Sequence, residues 1–456
     1  MYRNHTATRI TVAAVAASAL LTGCSSPSEP VSSTGGVEEA TESSVSEGAA
    51  SEARFDTGSF KTEPHSGWPR DNAKIGAIVE AMRIGSATLL PYEVDDSFAR
   101  GGASNTLSFD GVQDVVSEPV FEALQPLADS YLTGYGRVGL QENIPHRAQQ
   151  SLLRFKNPES AQQAAHIILE TMLAQGGGIS VPGDRQPLPA VEVPGQPEVL
   201  ATMDASNGVM TSVRAVNEFV LLTETRNTAV PNGRQSPEDF EKELADIEWM
   251  PAYHAAFYTK QVPLIDTIPT HKTAEGVGMS DQWPEADPEE LLRYTLMPAE
   301  NTRRAYRTPS WANERLMAGN YTNVGERFRM FDQANITAMA QAETLVYRTA
   351  NPQQAELLRA TFSAEDAESE PQPYDEPQGV PGATCATFPT AHGTRYSCTL
   401  VYENYFVDAG VSEVDESLPD VGAEPSQEST PMPDAKTQLS QMVAAQYLLL
   451  TKAPKK

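Results

Sequence analysis

The chain of 456 residues reads as an α+β protein made of two tandem repeated units, each an antiparallel sheet with helices packed on one face. Three observations carry that reading. An Asn-Pro pair that would cap and start a helix follows a strand-like run twice, at Asn157-Pro158 after Ser151 to Phe155 and at Asn351-Pro352 after Thr344 to Arg348. A Val-Pro-Gly string then recurs, at Val193 to Gly195 and at Val380 to Gly382. Extended runs joined by turn residues follow each Pro-Gly, and a stretch of helical periodicity closes each unit. Landmarks repeated in one order point to a duplication.

From the N-terminus, residues 1–23 have the layout of an export leader: Arg3 and Arg9 stand before an apolar run from Ile10 to Leu21. That run is well short of the ~20 residues a bilayer-spanning helix needs. It ends on Leu21-Thr22-Gly23-Cys24, a lipobox, in which a lipid is attached to the thiol before cleavage ahead of Cys24. Cys24 is therefore the expected lipidation site, and the extracytoplasmic face of the cell membrane the expected location. A diacyl group, at about 0.8 kcal/mol per buried methylene, would hold without other membrane contacts. Residues 24–67 are Ser, Glu, Gly, Thr and Ala with scarcely an aromatic, too little apolar area to offset chain entropy. They are expected to form a disordered tether spanning roughly 35–40 Å.

The first α+β unit is expected over 68–270. After Asn157-Pro158, Ala161, Ala164, Ala165, Ile168, Leu169 and Met172 recur at helical spacing, and the Gly176 run ends that helix. A hairpin turning at Asp204 to Gly208 and a third strand from Phe219 come next, then a closing helix from Ser236-Pro237 through Phe240, Leu244 and Ile247. Pro251 is expected to kink or split it.

The second unit, expected over 271–456, repeats this order. Continued without a gap from the Pro-Gly strings, the match sets Asn404 on Asn217 and Phe406 on Phe219, and Leu439, Met442 and Val443 on the first closing helix, with Gln446 at the place of Pro251. Even the lead-in recurs, Tyr294 to Pro298 answering Ala87 to Pro91. The acidic run from Glu365 to Glu376 reads as a solvated loop. Cys385 and Cys398 face each other across a hairpin centred on Ala391-His392 and are expected to form a disulfide, as an exported protein allows. Closing so short a loop contributes roughly 3 kcal/mol in the chain-entropy model. The same match puts Glu198 and Thr211 at the corresponding places of the first unit, so the bridge belongs to one copy.

A net charge of −28, two units more negative once Arg3 and Arg9 leave with the leader, excludes nucleic acid as a partner and adhesion of the protein surface to anionic lipid. Gly134-x-Gly136-x-x-Gly139 has dinucleotide spacing without a parallel β-α-β context and reads as a loop between elements. The seven His form no zinc spacing, and no nucleophile elbow or phosphate loop is present, so no metal, cofactor or catalytic residue is assigned. A basic stretch with interleaved aromatics runs from Arg293 to Arg329. Within it Arg303, Arg304, Arg307 and Arg315 are candidate contacts for an anionic or glycan ligand; the competing reading pairs them with neighbouring carboxylates.

The lipobox, the acidic tether, Leu89 to Asp95, Leu153 to Ala161 and Val193 to Pro197 together resemble an uncharacterised lipoprotein family of mycolic-acid-bearing Actinobacteria, a domain of unknown function. The resemblance implies a cell-envelope setting and no activity. The expected function is a membrane-anchored extracytoplasmic lipoprotein that binds an envelope lipid, glycan or partner protein without catalysis. The alternative is an envelope hydrolase whose catalytic groups meet only in the fold.

Overall fold

The computed structural model describes residues 55–142, 144, 146–176, 186–227, 246–268, 283–299, 302, 309–367, 370–375, 377–390, 393–414 and 433–455. Cys24 and most of the tether lie outside the described residues. The first copy contains α1 (Ala73–Ala87), α2 (Pro91–Val94), β1 (Arg100–Leu107), α3 (Glu118–Leu124), β2 (Tyr131–Leu140), β3 (His146–Phe155), α4 (Pro158–Gln175), β4 (Ala190–Val191), β5 (Leu200–Asp204), β6 (Val209–Val216), β7 (Phe219–Asn227) and α5 (Trp249–Ile265). The second contains β8 (Ser310–Ala312), α6 (Glu314–Ala318), α7 (Val324–Gln333), β9 (Ile336–Gln341), β10 (Thr344–Thr349), α8 (Pro352–Ala367), β11 (Gln372–Tyr374), β12 (Ala383–Thr390), β13 (Gly393–Tyr402), β14 (Tyr405–Val414) and α9 (Ala435–Thr451).

Each copy forms one antiparallel sheet of seven strands. Their orders are β1-β2-β3-β7-β6-β5-β4 and β8-β9-β10-β14-β13-β12-β11, the same path twice. The predicted caps start matching helices: Asn157 Oδ1 accepts from Ser160 N at 2.8 Å, and Asn351 Oδ1 from Gln354 N at 3.0 Å. Gly195 and Gly382 both adopt positive φ, 70° and 76°, where the chain turns toward β5 and β12, the fifth strand of each copy in chain order.

The lead-in match also holds, and a shared clamp proves it. Gln261 on α5 accepts from Leu89 N at 2.9 Å and donates to Ala87 O at 2.9 Å; Gln446 on α9 accepts from Leu296 N at 2.8 Å and donates to Tyr294 O at 2.7 Å. Gln446 therefore corresponds to Gln261, not to Pro251. On that alignment the buried positions of α5, among them Met250, Tyr253, His254, Phe257 and Tyr258, fall on Ala435, Gln438, Leu439, Met442 and Val443 of α9. The segment around Phe240 and Leu244 lies outside the described residues. Pro251 sits in the first turn of α5, where its missing N–H has no helical acceptor to lose, and α5 continues past it; the helix expected from Ser236 lies, up to residue 245, outside the described residues.

Two further details differ from the expectation. The turns after β6 and β13 are Asn217-Glu218 and Glu403-Asn404, with φ of 53° at Asn217 and at Glu403. Phe219, opposite Arg154, thus corresponds to Tyr405, opposite Arg348, one residue out of step with the gapless match. The same correction moves the first-copy equivalents of Cys385 and Cys398 from Glu198 and Thr211 to the paired Ala201 and Ser212. A four-residue turn replaces a two-residue one there, and a gapless comparison cannot see it. Glu365 to Ala367 continue α8 instead of starting a loop. Gly134, Gly136 and Gly139, read as a loop, lie within β2, where Gly139 lets Pro91 approach the strand.

Helices cover both faces of each sheet, whereas one face was expected. Adjacent strand residues point to opposite sides. Leu153, Val220 and Leu222 meet α4, while Leu152 and Leu221 share a core with Phe257 and Tyr258 of α5. That second core is common to both copies, because it also contains Leu316, Met317, Phe331, Tyr347, Leu358 and Phe406.

The described chain also begins earlier than Trp68. Residues 55–66 lie as a strap on the second copy, although they precede the first in sequence. Phe60 is 4% exposed within the core that holds Leu296 and Met442, Phe55 packs on Tyr447 with centroids 5.7 Å apart, and Lys452 Nζ donates to Thr62 O at 3.0 Å and bonds Glu63 at 2.7 Å. The tether reading failed here because one buried phenylalanine outweighs a polar composition.

Candidate functional site at the junction of the copies

Helix α1 ends with carbonyls that lack helical partners, and the partial negative charge there favours cationic donors. Arg137 Nη2 donates to Gly85 O at 2.5 Å, Asn313 Nδ2 to Ser86 O at 2.9 Å, Arg315 Nη1 to Ser86 O at 3.1 Å, and Gln261 takes Ala87 O. Asn313 and Arg315 come from the second copy, so this helix end is where the copies are joined. Arg315 is also held by Glu93 through two hydrogen bonds, of 2.7 and 2.8 Å. The carboxylate-pairing reading therefore applies to Arg315. Arg303, Arg304 and Arg307 lie outside the described residues. Arg327, from the same basic stretch, is buried between the Tyr321 and Phe362 rings, 4.2 Å from each centroid.

Beside this junction lies a cavity of about 440 Å³. Trp311, half-buried, and Ile268 give it apolar wall, while Arg83, Thr267, Asn313 and Arg315 give it polar wall. A second cavity, of about 530 Å³, opens between α5 and the turn after α2, lined by Asp95, Asp96, Trp249, Ala252, Ala256 and Lys260. Glu93 lines this second cavity and Arg315 the first, so their ion pair stands between the two. In the first cavity Arg83 and Arg315 outnumber Glu285, and in the second Glu93, Asp95 and Asp96 outnumber Lys260.

Sequence reasoning missed a serine–histidine contact. Ser212 Oγ lies 2.5 Å from His254 Nδ1, and His254 Nε2 lies 2.9 Å from Thr225 Oγ1; Tyr258 OH is 3.0 Å from Ser212. The residues come from β6, β7 and α5, far apart in sequence, so no spacing could announce them. All four are fully buried, and none lines either cavity. Burial pushes the His254 imidazole down to about 3, so it is neutral, one ring nitrogen accepting and the other donating. In the second copy the corresponding residues Cys398, Val411 and Leu439 are apolar. A nucleophile sealed in a core cannot meet a substrate; this network positions α5 on its sheet.

Cys385 and Cys398 are bonded across β12 and β13, with Cα atoms 4.1 Å apart. Among the described residues no group of three or more His, Cys, Asp or Glu could hold a metal ion, and no helix is long and apolar enough to cross a membrane.

Models of the N-terminal and C-terminal parts of a domain of unknown function, DUF7373, match residues 68–279 and 291–413. No curated protein matches. Among solved structures, the extracellular domain of PknH from Mycobacterium tuberculosis is similar at 14% identity and a TM-score of 0.27, over 41% of this chain and 96% of that one, a likeness too loose to carry an argument.

Proposed function

The chain belongs to the DUF7373 family, both parts of which it contains in order, and from that premise we propose that it is a lipid-anchored extracytoplasmic binding protein that performs no catalysis. The observation that carries this reading is the cleft at the junction, where an indole and polar side chains of both copies line one cavity. Its guanidinium groups are fixed by carboxylates, Arg83 by Glu80 and Arg315 by Glu93, which suits a preformed wall for recognition. The lipobox supports the anchor, and the disulfide suits an oxidising compartment. The envelope setting comes from the resemblance of the leader, tether and strings.

Native mass spectrometry of mature protein released gently from its own membranes tests the reading. A ligand-bound mass is expected, and Thr267→Trp, an exposed substitution that fills the junction cavity, should abolish it. Ester or glycoside turnover lost in Ser212→Ala would establish the hydrolase alternative instead. Separately, Cys24→Ala should release the protein from membranes or leave an uncleaved precursor; membrane retention at mature mass would refute the anchor.

A further inference from the structure

The duplication says what shape of ligand the first copy is built for. On the alignment fixed by the two glutamine clamps, Ala256, Thr267 and Ser86 of the first copy correspond to Gln441, Lys452 and Arg293 of the second. The strap binds the second copy at those three places. Asp56 Oδ2 accepts from Gln441 Nε2 at 3.0 Å, Lys452 holds Thr62 and Glu63, and His65 N donates to Arg293 O at 2.9 Å. Gly58, at φ 52°, lies so close to Gln441 that a β-carbon would overlap that side chain, so the strap is seated tightly against α9. Among the described residues, no segment lies as a strap along the corresponding path of the first copy. Ala256 lines the acidic cavity, and Ser86 and Thr267 line the junction cavity. The two cavities thus lie, on either side of the Glu93–Arg315 ion pair, along the path whose duplicate is filled by the chain itself.

We infer that the groove of the first copy receives an extended polypeptide segment of a partner, laid down in the direction of the strap, with a basic residue toward its N-terminal end and an acidic residue several positions later. This rests on the binding reading above and names its partner class. The polarity follows from charge complementarity. At the end matched to Asp56, the carboxylates of Glu93, Asp95 and Asp96 outnumber Lys260, whose amine is held by the Glu93 and Val94 carbonyls. At the end matched to Glu63, Arg83 and Arg315 outnumber Glu285 in the wall. A segment docked in extended form gains main-chain contacts along the groove and specificity from the side chains at either end.

The test uses the full mature chain in detergent and a fluorescent peptide of strap residues 55–66 carrying Asp56→Lys, which keeps Glu63. Saturable binding by fluorescence anisotropy is expected. It should weaken at least about tenfold in Ala252→Tyr and in Thr267→Trp, both exposed first-copy positions whose melting temperatures should stay at wild type. Exchanging the lysine and the glutamate of the peptide should weaken it similarly. No binding, or binding that survives both groove substitutions, would overturn the inference. Equal binding of the unaltered strap peptide would also overturn it, making the occupant a second copy of this chain. Loss of a co-purified ligand in Thr267→Trp without any peptide binding would leave the binding reading standing and remove only this inference.

Discussion

His254 is the residue whose chemistry most clearly limits the protein. Its pKa falls from 6.5 to about 3 on burial, so the folded state refuses a proton that the unfolded state accepts. The stability that depends on it is complete above about pH 6.5 and is lost as pH falls toward 3, by about 2 kcal/mol at pH 5. Ser212→Ala, Thr225→Val and His254→Leu together give the site the apolar character of its counterpart in the second copy. Denaturant melts from pH 7 to pH 5 should show the wild-type loss and a smaller one in the triple variant, in which His65 and His146, also lowered by burial, still titrate; a triple variant that loses as much as the wild type would rule out a contribution from His254. The disulfide acts at the same scale. Reducing it, or replacing both Cys385 and Cys398 by Ala, should cost roughly 3 kcal/mol through the freed loop, read by the same melts.

Among elements, the strap is the one whose role the sequence hid. Phe60→Ala should destabilise the second copy by about 3 kcal/mol through lost burial and the cavity it leaves, and amide exchange should quicken in α9 first. Protection unchanged in α9 would mean that the strap merely rests on the surface. What the sequence made legible were features with local chemistry: the Asn157 and Asn351 caps, the Val-Pro-Gly turns, the hairpin pairing Cys385 with Cys398 and the recurring lead-in. What it concealed depended on contacts between distant residues. Gln261 and Gln446 align only through the carbonyl and amide they clamp, and a two-residue difference in one turn shifted the gapless match at Phe219. Of the four arginines singled out, Arg315 does reach the junction, but as a cap on α1 and a partner of Glu93, and spacing along one segment cannot reveal either.

For the molecule as a whole, the central core draws side chains from both copies, so the copies share a fold without independent stability. Residues 68–270 and 271–456 expressed separately should each expose that core and aggregate, the second also lacking its strap; cooperative melting of either alone would contradict this. The same sharing creates the junction cleft, since one copy alone has no Trp311 facing Thr267. The most direct measurement of the functional account is in-cell photo-crosslinking from a photoreactive side chain placed at Thr267. A discrete adduct is predicted there, absent when the same group replaces Leu357, which is 48% exposed on α8 away from the groove. No adduct at Thr267, or equal labelling from both positions, would contradict a ligand-binding groove in the first copy.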